Sequence, residues 1–441
     1  MKKRILIISY YWPPAGGPGV QRWLKFVKYL PEFNIYPVLF VPENANYPIH
    51  DKSLNREVSL DCEIVKFPIF EISNFFPNLS SLNSIRSGNV SKNKNQSLLQ
   101  KFIFFLRGNL FIPDMKVFWK RNSVKFLENY LSENRIDTII TTGPPHSLHL
   151  IGYELKRKLN IKWISDFRDP WLHLNYLNRF HLLPFVKESH RKLRDKVICN
   201  SDAVIVTSNR LKTLFSEINQ NVYEITNGYD YKLQDEELDE KFSISHIGSL
   251  YDERNPDFLW DIIDELSKNI DGFKKDLQIN LIGNNSKKIK KQLSSREFNE
   301  CIKFHDYLEH KKSIKLMSSS QVLLILEVDD DGASYAIPGK LFDYLNSNRP
   351  IVSIGPEKSD VKDILSKTSS GKFFNYKDYN SLKFHLEKLY ENYKHNLSDK
   401  NNRKNIEIYH RKNLTSRLVG VISKVAKKVK PCNIGKIQGL N

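Results

Sequence analysis

Ile5-Leu6-Ile7-Ile8 is a short apolar run preceded by Lys2, Lys3 and Arg4. It leads into the turn Pro13-Pro14-Ala15-Gly16-Gly17-Pro18-Gly19. Beyond the turn, Val20, Leu24, Val27 and Leu30 recur at helical spacing. A buried strand, a glycine turn and an amphipathic helix in this order form the opening unit of a parallel sheet. Further strand-like runs lie at residues 37–41, 137–141, 162–165 and 203–206, with helix-like stretches between them. After the polar stretch 232–241 the alternation restarts, with runs at 244–248, 277–282, 321–326 and 350–354. The expected fold class is α/β: two Rossmann-like doubly wound domains facing a central cleft, with ligand at the strand C-terminal ends. The expected boundaries are 1–230 and 231–405, followed by a basic terminal helix and tail over 406–441 that crosses back to the first domain. In that tail a helix over about 403–430 would carry Leu418, Val421, Ile422, Val425 and Val429 on one face. Residues 75–100, dominated by Ser, Asn and Lys, read as a mobile surface insertion.

At 441 residues, and with about 150 residues per domain, the chain has room for two large domains. Its 40% hydrophobic and 27% charged content excludes a disordered chain. No apolar run reaches the roughly 18 residues that a spanning helix needs. The opening apolar run is too short for a signal peptide, and Pro13-Pro14 follow where a cleavage site would lie. Cys62, Cys199, Cys301 and Cys432 are far apart and form no zinc spacing, so neither a metal site nor a disulfide framework is expected, and a reducing cytoplasm is. Lys and Arg outnumber Asp and Glu by 68 to 50, a net charge of +18. From residue 401 onward ten basic residues face one acid, Glu407. Such a balance favours an anionic partner. The stretch 98–121 interleaves aromatic and aliphatic residues with Lys101, Arg107, Lys116, Lys120 and Arg121. It reads either as a core helix with a charged face or as a patch for an anionic membrane surface.

Gly16 and Gly17, between a first strand and a first helix, would let the backbone approach a phosphate. Their spacing is not the dinucleotide fingerprint. In the second block Gly248 ends a strand, Ser249 follows, and Arg254 stands six residues after the glycine, where a cation would neutralise a diphosphate. Ile337-Pro338-Gly339-Lys340-Leu341-Phe342-Asp343 opens a helix. Lys340 would meet an anion there, and Asp343, one turn on, would accept from ribose hydroxyls. A capped helix with a surface Lys–Asp pair is the plainer alternative.

These stretches resemble retaining glycosyltransferases of family 4, of the kind associated with bacterial surface polysaccharide, which have the GT-B fold. The resemblance is carried by YYWPPAGGPGVQRWLKFVKYLPEF (10–33), TTGPPHSLHLIGYELKRKL (141–159), WISDFRDPW (163–171), ITNGYD (225–230), HIGSLYDERNP (246–256) and IPGKLFDYLNSNRPIV (337–352). It implies that Gly16 and Gly17 lie beside the donor diphosphate and that Arg254 and Lys340 neutralise it. Ser249 stands where the family usually has a second Arg. Asp343 matches the later acid of the family's paired-glutamate motif. The earlier one has no counterpart, although Asp329, Asp330 and Asp331 are nearby. Tyr307 belongs to the loop that cups the base. His146 and Asp169, both at strand ends, would face the sugar and the acceptor.

The implied activity is transfer of a sugar, with retention, from a nucleoside-diphosphate donor to a hydroxyl. The acceptor would be a lipid-linked or growing saccharide at the inner face of a bacterial membrane. Neither a cofactor nor a metal is expected. A sugar-nucleotide epimerase on the same fold is the first rival. A nucleic-acid-binding protein, suggested by charge alone, is the second, and no recognition module supports it.

Overall fold

The computed structural model describes residues 3–71, 98–172, 180–231, 236–306, 308, 310–330, 332–397 and 403–427. Two compact units emerge, dividing at Thr226/Asn227 and again at His410/Arg411, so that the chain's last helix belongs to the first unit. Tyr307, and nearly all of the segment read as an insertion, lie outside the described residues.

The first unit holds a parallel sheet of β1 (Lys3–Ile8), β2 (Ile35–Pro42), β3 (Glu63–Phe67), β4 (Thr138–Gly143), β5 (Lys162–Phe167), β6 (Ala203–Val206) and β7 (Val222–Glu224). Its order, β3-β2-β1-β4-β5-β6-β7, turns back between β1 and β4. Its helices are α1 (Pro18–Tyr29), α2 (Leu98–Leu110), α3 (Trp119–Glu133), α4 (Ser147–Leu159), α5 (Pro184–Asn200) and α6 (Asn209–Ser216). The strand, turn and helix follow in the expected order: Gly17 caps α1 at φ +92, and the helix buries Val20, Trp23, Leu24 and Val27. β1 is buried from Ile5 to Ile8, as a strand covered on both faces must be.

The second unit repeats the plan with β8 (Phe242–Ile247), β9 (Leu277–Ile282), β10 (Ile302–His305), β11 (Val322–Leu326), β12 (Ile351–Gly355) and β13 (Gly371–Asn375). The order is β10-β9-β8-β11-β12-β13, and the switch point lies between β8 and β11. Its helices are α7 (Asp257–Asn269), α8 (Phe273–Asp276), α9 (Lys287–Ser294), α10 (His310–Ser319), α11 (Lys340–Asn346), α12 (Asp360–Thr368) and α13 (Tyr379–Lys394).

The terminal helix α14 (Arg411–Lys427) packs on α1 and puts Leu414, Leu418, Val421, Ile422 and Val425 into the first unit's core. It starts eight residues later than the periodicity suggests. Arg403 is not helical but donates to the carbonyls of Tyr344, Leu345 and Arg349 in the second unit. The intervening turn at Ile406–Tyr409 and the extended His410 end that unit before the helix begins.

Candidate active site

In an open parallel sheet, ligands bind beyond the strand C-terminal ends at the point where the order reverses. In the second unit that point gathers Gly248, Lys340 and Arg254. Gly248 follows β8 at φ +127, a conformation that glycine adopts without strain. A Cβ there would stand 2.8 Å from Lys340 Nζ, so the ammonium lies directly against the glycine. Lys340 is the first residue of α11, and Gly339 precedes it with open space where a side chain would be. One turn along the same helix, the Tyr344 hydroxyl accepts from Ile247 N–H at 2.9 Å, so two α11 side chains grip the end of β8.

Burial, and then the nearby Arg254 charge, hold the Lys340 ammonium well below the ordinary lysine range. Arg254 itself is exposed, and among the described residues its guanidinium makes neither hydrogen bond nor ion pair. No carboxylate pairs with Lys340 among those residues either. An arginine and a lysine with no acid partner at a strand end are the groups that an anion arriving there would meet and whose charge it would favour. Ser249 is half-buried beside Gly248, and Asp343 is half-buried in the first turn of α11, its carbonyl accepting from the Tyr231 hydroxyl.

Two residues in this place escaped the sequence reading. His246, fully buried, bridges Leu324 O at 2.9 Å and Lys340 Nζ at 3.1 Å. Glu327, one residue beyond β11, accepts from Ser359 Oγ at 2.8 Å, and burial raises its carboxyl to about 8 despite that bond and Arg254. Of the aspartates weighed for the earlier acid of the paired motif, Asp329 is exposed, Asp330 accepts from Gly332 N–H in a local turn, and Asp331 lies outside the described residues.

In the first unit, Gly16, Gly17, His146 and Asp169 sit around the β1/β4 switch point. Gly16 has a packing reason to lack a side chain, since a Cβ would stand 2.8 Å from Ile49 Cγ2. His146 stacks on Trp171 with centroids 4.6 Å apart, and neither ring nitrogen has a hydrogen-bond partner among the described residues. Burial, with His149 and Arg168 nearby, holds its imidazole well below the usual value, so it is neutral. Arg168 donates to the Gly143 and Pro144 carbonyls and lies over the Tyr11 ring, its centroid 5.7 Å away. Beside it, burial raises the Asp169 carboxyl, and the Arg168 charge opposes that rise. A neutral imidazole whose two nitrogens are buried and unpaired among the described residues thus lies beside a cation and a carboxyl.

No family model matches the chain, and no curated protein sequence does. Solved structures share its fold. A glycosyltransferase from Rickettsia africae aligns over 97% of this chain and all of its own, with TM-score 0.63 and 11% identity. Anabaena HepE, solved in complex with UDP-glucose, aligns over 96% of this chain and 99% of its own, with TM-score 0.61 and 11% identity. The fold is GT-B. A protein described as a UDP-N-acetylglucosamine 2-epimerase, from Listeria monocytogenes, shares it too, over 98% of each chain with TM-score 0.53 and 10% identity. The GT-B fold is therefore common to transfer and to isomerisation, and the chemistry has to be argued from the site.

Proposed function

We propose that this GT-B protein is a retaining glycosyltransferase, of family 4 in type, that moves a sugar from a nucleoside diphosphate to a hydroxyl. The observation that carries the reading is the pair of cations, Arg254 and Lys340, gathered without an acid partner at the second sheet's switch point. Cleaving the anomeric C–O bond leaves negative charge on the diphosphate. Fixed cations there stabilise the transition state more than the ground state. The acceptor hydroxyl attacks on the face the diphosphate leaves, and its proton passes to the departing phosphate oxygen. Asp343 accepts from the ribose hydroxyls. His146 and Asp169 orient the sugar and the acceptor and need not act as bases. The charge is supplied by side chains, so neither metal nor cofactor is called for.

The acceptor is a lipid-linked or growing saccharide, and the enzyme works peripherally at the inner face of a bacterial membrane. Supporting this, α2 leaves Leu98 84%, Leu99 67% and Phe102 56% exposed on a chain of net charge +18. Among the described residues no helix is long and apolar enough to cross a membrane. The epimerase on the same fold is the second reading. A panel of nucleotide sugars tests both, first by thermal shift, since ligand that binds the native state raises Tm, and then by product analysis. Transfer that requires an added acceptor supports the transferase. Isomerised donor formed without any acceptor replaces it with the epimerase, and a panel that shifts nothing removes the donor site altogether.

A further inference from the structure

The pairing of β8 with β11 runs through Ile244↔Val322 and Ser245↔Leu323, and there the two strands part. The next residues along, His246 and Leu324, are joined by a side chain instead. His246 Nδ1 lies 2.9 Å from the Leu324 carbonyl oxygen. A carbonyl only accepts, so Nδ1 carries the proton and Nε2 keeps its lone pair. That lone-pair nitrogen is 3.1 Å from Lys340 Nζ. Burial, together with the adjacent Lys340 charge, keeps the imidazole well below its usual value and therefore neutral.

We propose that His246 is a positioning residue of the donor site: a neutral acceptor that holds the Lys340 ammonium against Gly248 without cancelling its charge. The inference rests on the reading of that site as the seat of a nucleoside diphosphate. A carboxylate in the same position would fix the lysine equally well, but an arriving anion would then meet an ion pair rather than a cation. The first unit contains that other arrangement. Arg22 is fully buried against Asp166, with Nη2–Oδ1 at 2.8 Å, and its charge is consumed by the fold. At the switch point of the second sheet the acceptor is an imidazole, and the positive charge stays available. Arg254 pushes the same ammonium away by like-charge repulsion, so an acceptor is needed to keep the two cations convergent on one anion.

Five variants of the full chain, the last two being Lys340→Met alone and combined with His246→Asn, test this by titration calorimetry, using whichever of UDP, GDP and ADP binds the wild type most tightly. His246→Asn keeps a donor for Leu324 and loses the acceptor for Lys340, so affinity should fall roughly tenfold. His246→Gln places an amide oxygen near the former Nε2 and should stay within about threefold of wild type. His246→Glu supplies an acceptor but neutralises the lysine, and should bind no better than the Asn variant. In a Lys340→Met background the His246→Asn change should cost nothing further, because the interaction it removes is already gone. A loss that persists in full in that background, or an Asn variant that binds like wild type, would overturn the proposal. Should the Asn variant not fold, equal affinities for the Gln and Glu variants overturn it instead. If none of the three diphosphates binds the wild type, the donor-site reading itself falls and takes this role with it. Binding by the wild type with no dependence on His246 would leave that reading standing.

Discussion

Burial disfavours charge on Lys340 and Glu327 alike, but only the lysine has reason to stay ionised, since an anion is its expected partner. Lys340→Ala and Asp343→Ala should each weaken nucleoside-diphosphate binding by about 1.5–3 kcal/mol, the usual worth of a hydrogen bond to a charged group. Wild-type affinity in both variants would misplace the donor site. Because the two cations are side chains, activity should survive EDTA. Complete loss that Mg²⁺ or Mn²⁺ restores would refute the cation-only scheme. Glu327 gives a pH signature. Its folded value of about 8 lies above the ordinary 4.5, so in that interval the folded chain keeps a proton that the unfolded chain releases. Its contribution therefore favours the fold below about pH 4.5 and is lost progressively as pH rises toward about 8. Glu327→Gln should flatten this part of the stability–pH curve, measured by urea unfolding between about pH 5 and pH 8. An unchanged slope would show that the carboxyl is ionised in the fold. The placement of Arg254 and Lys340 at the end of β8 was legible in the sequence because each stands at a fixed offset from a strand end or helix start. His246 and Glu327 were not, since their roles depend on partners 78 residues and 32 residues away in the chain. A histidine inside an apolar strand reads as core until its neighbour across the switch point is known.

The same distinction separates the strands that could be read from those that could not. The inner strands of both sheets are buried along most of their length, because helices cover them on two faces, and each carries enough apolar residues to be read as a run. The four strands missed, β3, β7, β10 and β13, are the four sheet edges. β3 and β10 leave most of their residues partly or fully exposed, and their alternation dissolves into ordinary polar sequence. Helix α4 shows how an element is fitted to its sheet. A Cβ on Gly152 would stand 2.8 Å from Thr141 Cγ2 and closer still to the Trp163 indole. The indole cannot easily retreat, since its N–H donates to Thr141 Oγ1 at 2.9 Å. Helix propensity alone favours Gly152→Ala by about 1 kcal/mol, but overpacking costs about 1–3 kcal/mol. The clash should win, and Tm should fall by a few degrees. A thermal melt showing higher Tm would mean that α4 can slide outward at little cost.

The proposed membrane contact draws on the net charge of +18 and on the apolar residues that α2 leaves exposed, and the two basic regions differ in how far their cations are already engaged. Several cations of the terminal helix already serve the protein. Lys412 pairs with Glu32 at 2.7 Å, Arg417 donates to the Glu224 carbonyl, and Lys424 lies over the Tyr223 ring. The helix is thus held to the first unit by its basic face as well as its apolar one. By contrast, α2 is anchored through Phe104 and Gly108 against Phe180 and Leu182, which leaves Leu98, Leu99 and Phe102 outward beside the exposed Lys101. Apolar side chains beside a cation suit an anionic bilayer surface, where each basic residue is worth about 1 kcal/mol. The chain should therefore sediment with anionic liposomes at low salt, release as salt rises, and ignore zwitterionic ones. Leu99→Ser with Phe102→Ser should abolish that binding, while Lys412→Ala, which removes a cation already paired with Glu32, should leave it nearly intact. Equal recovery in the supernatant with both liposome types would remove the membrane from the proposal. Loss of binding in Lys412→Ala alone would move the contact from α2 to the terminal helix.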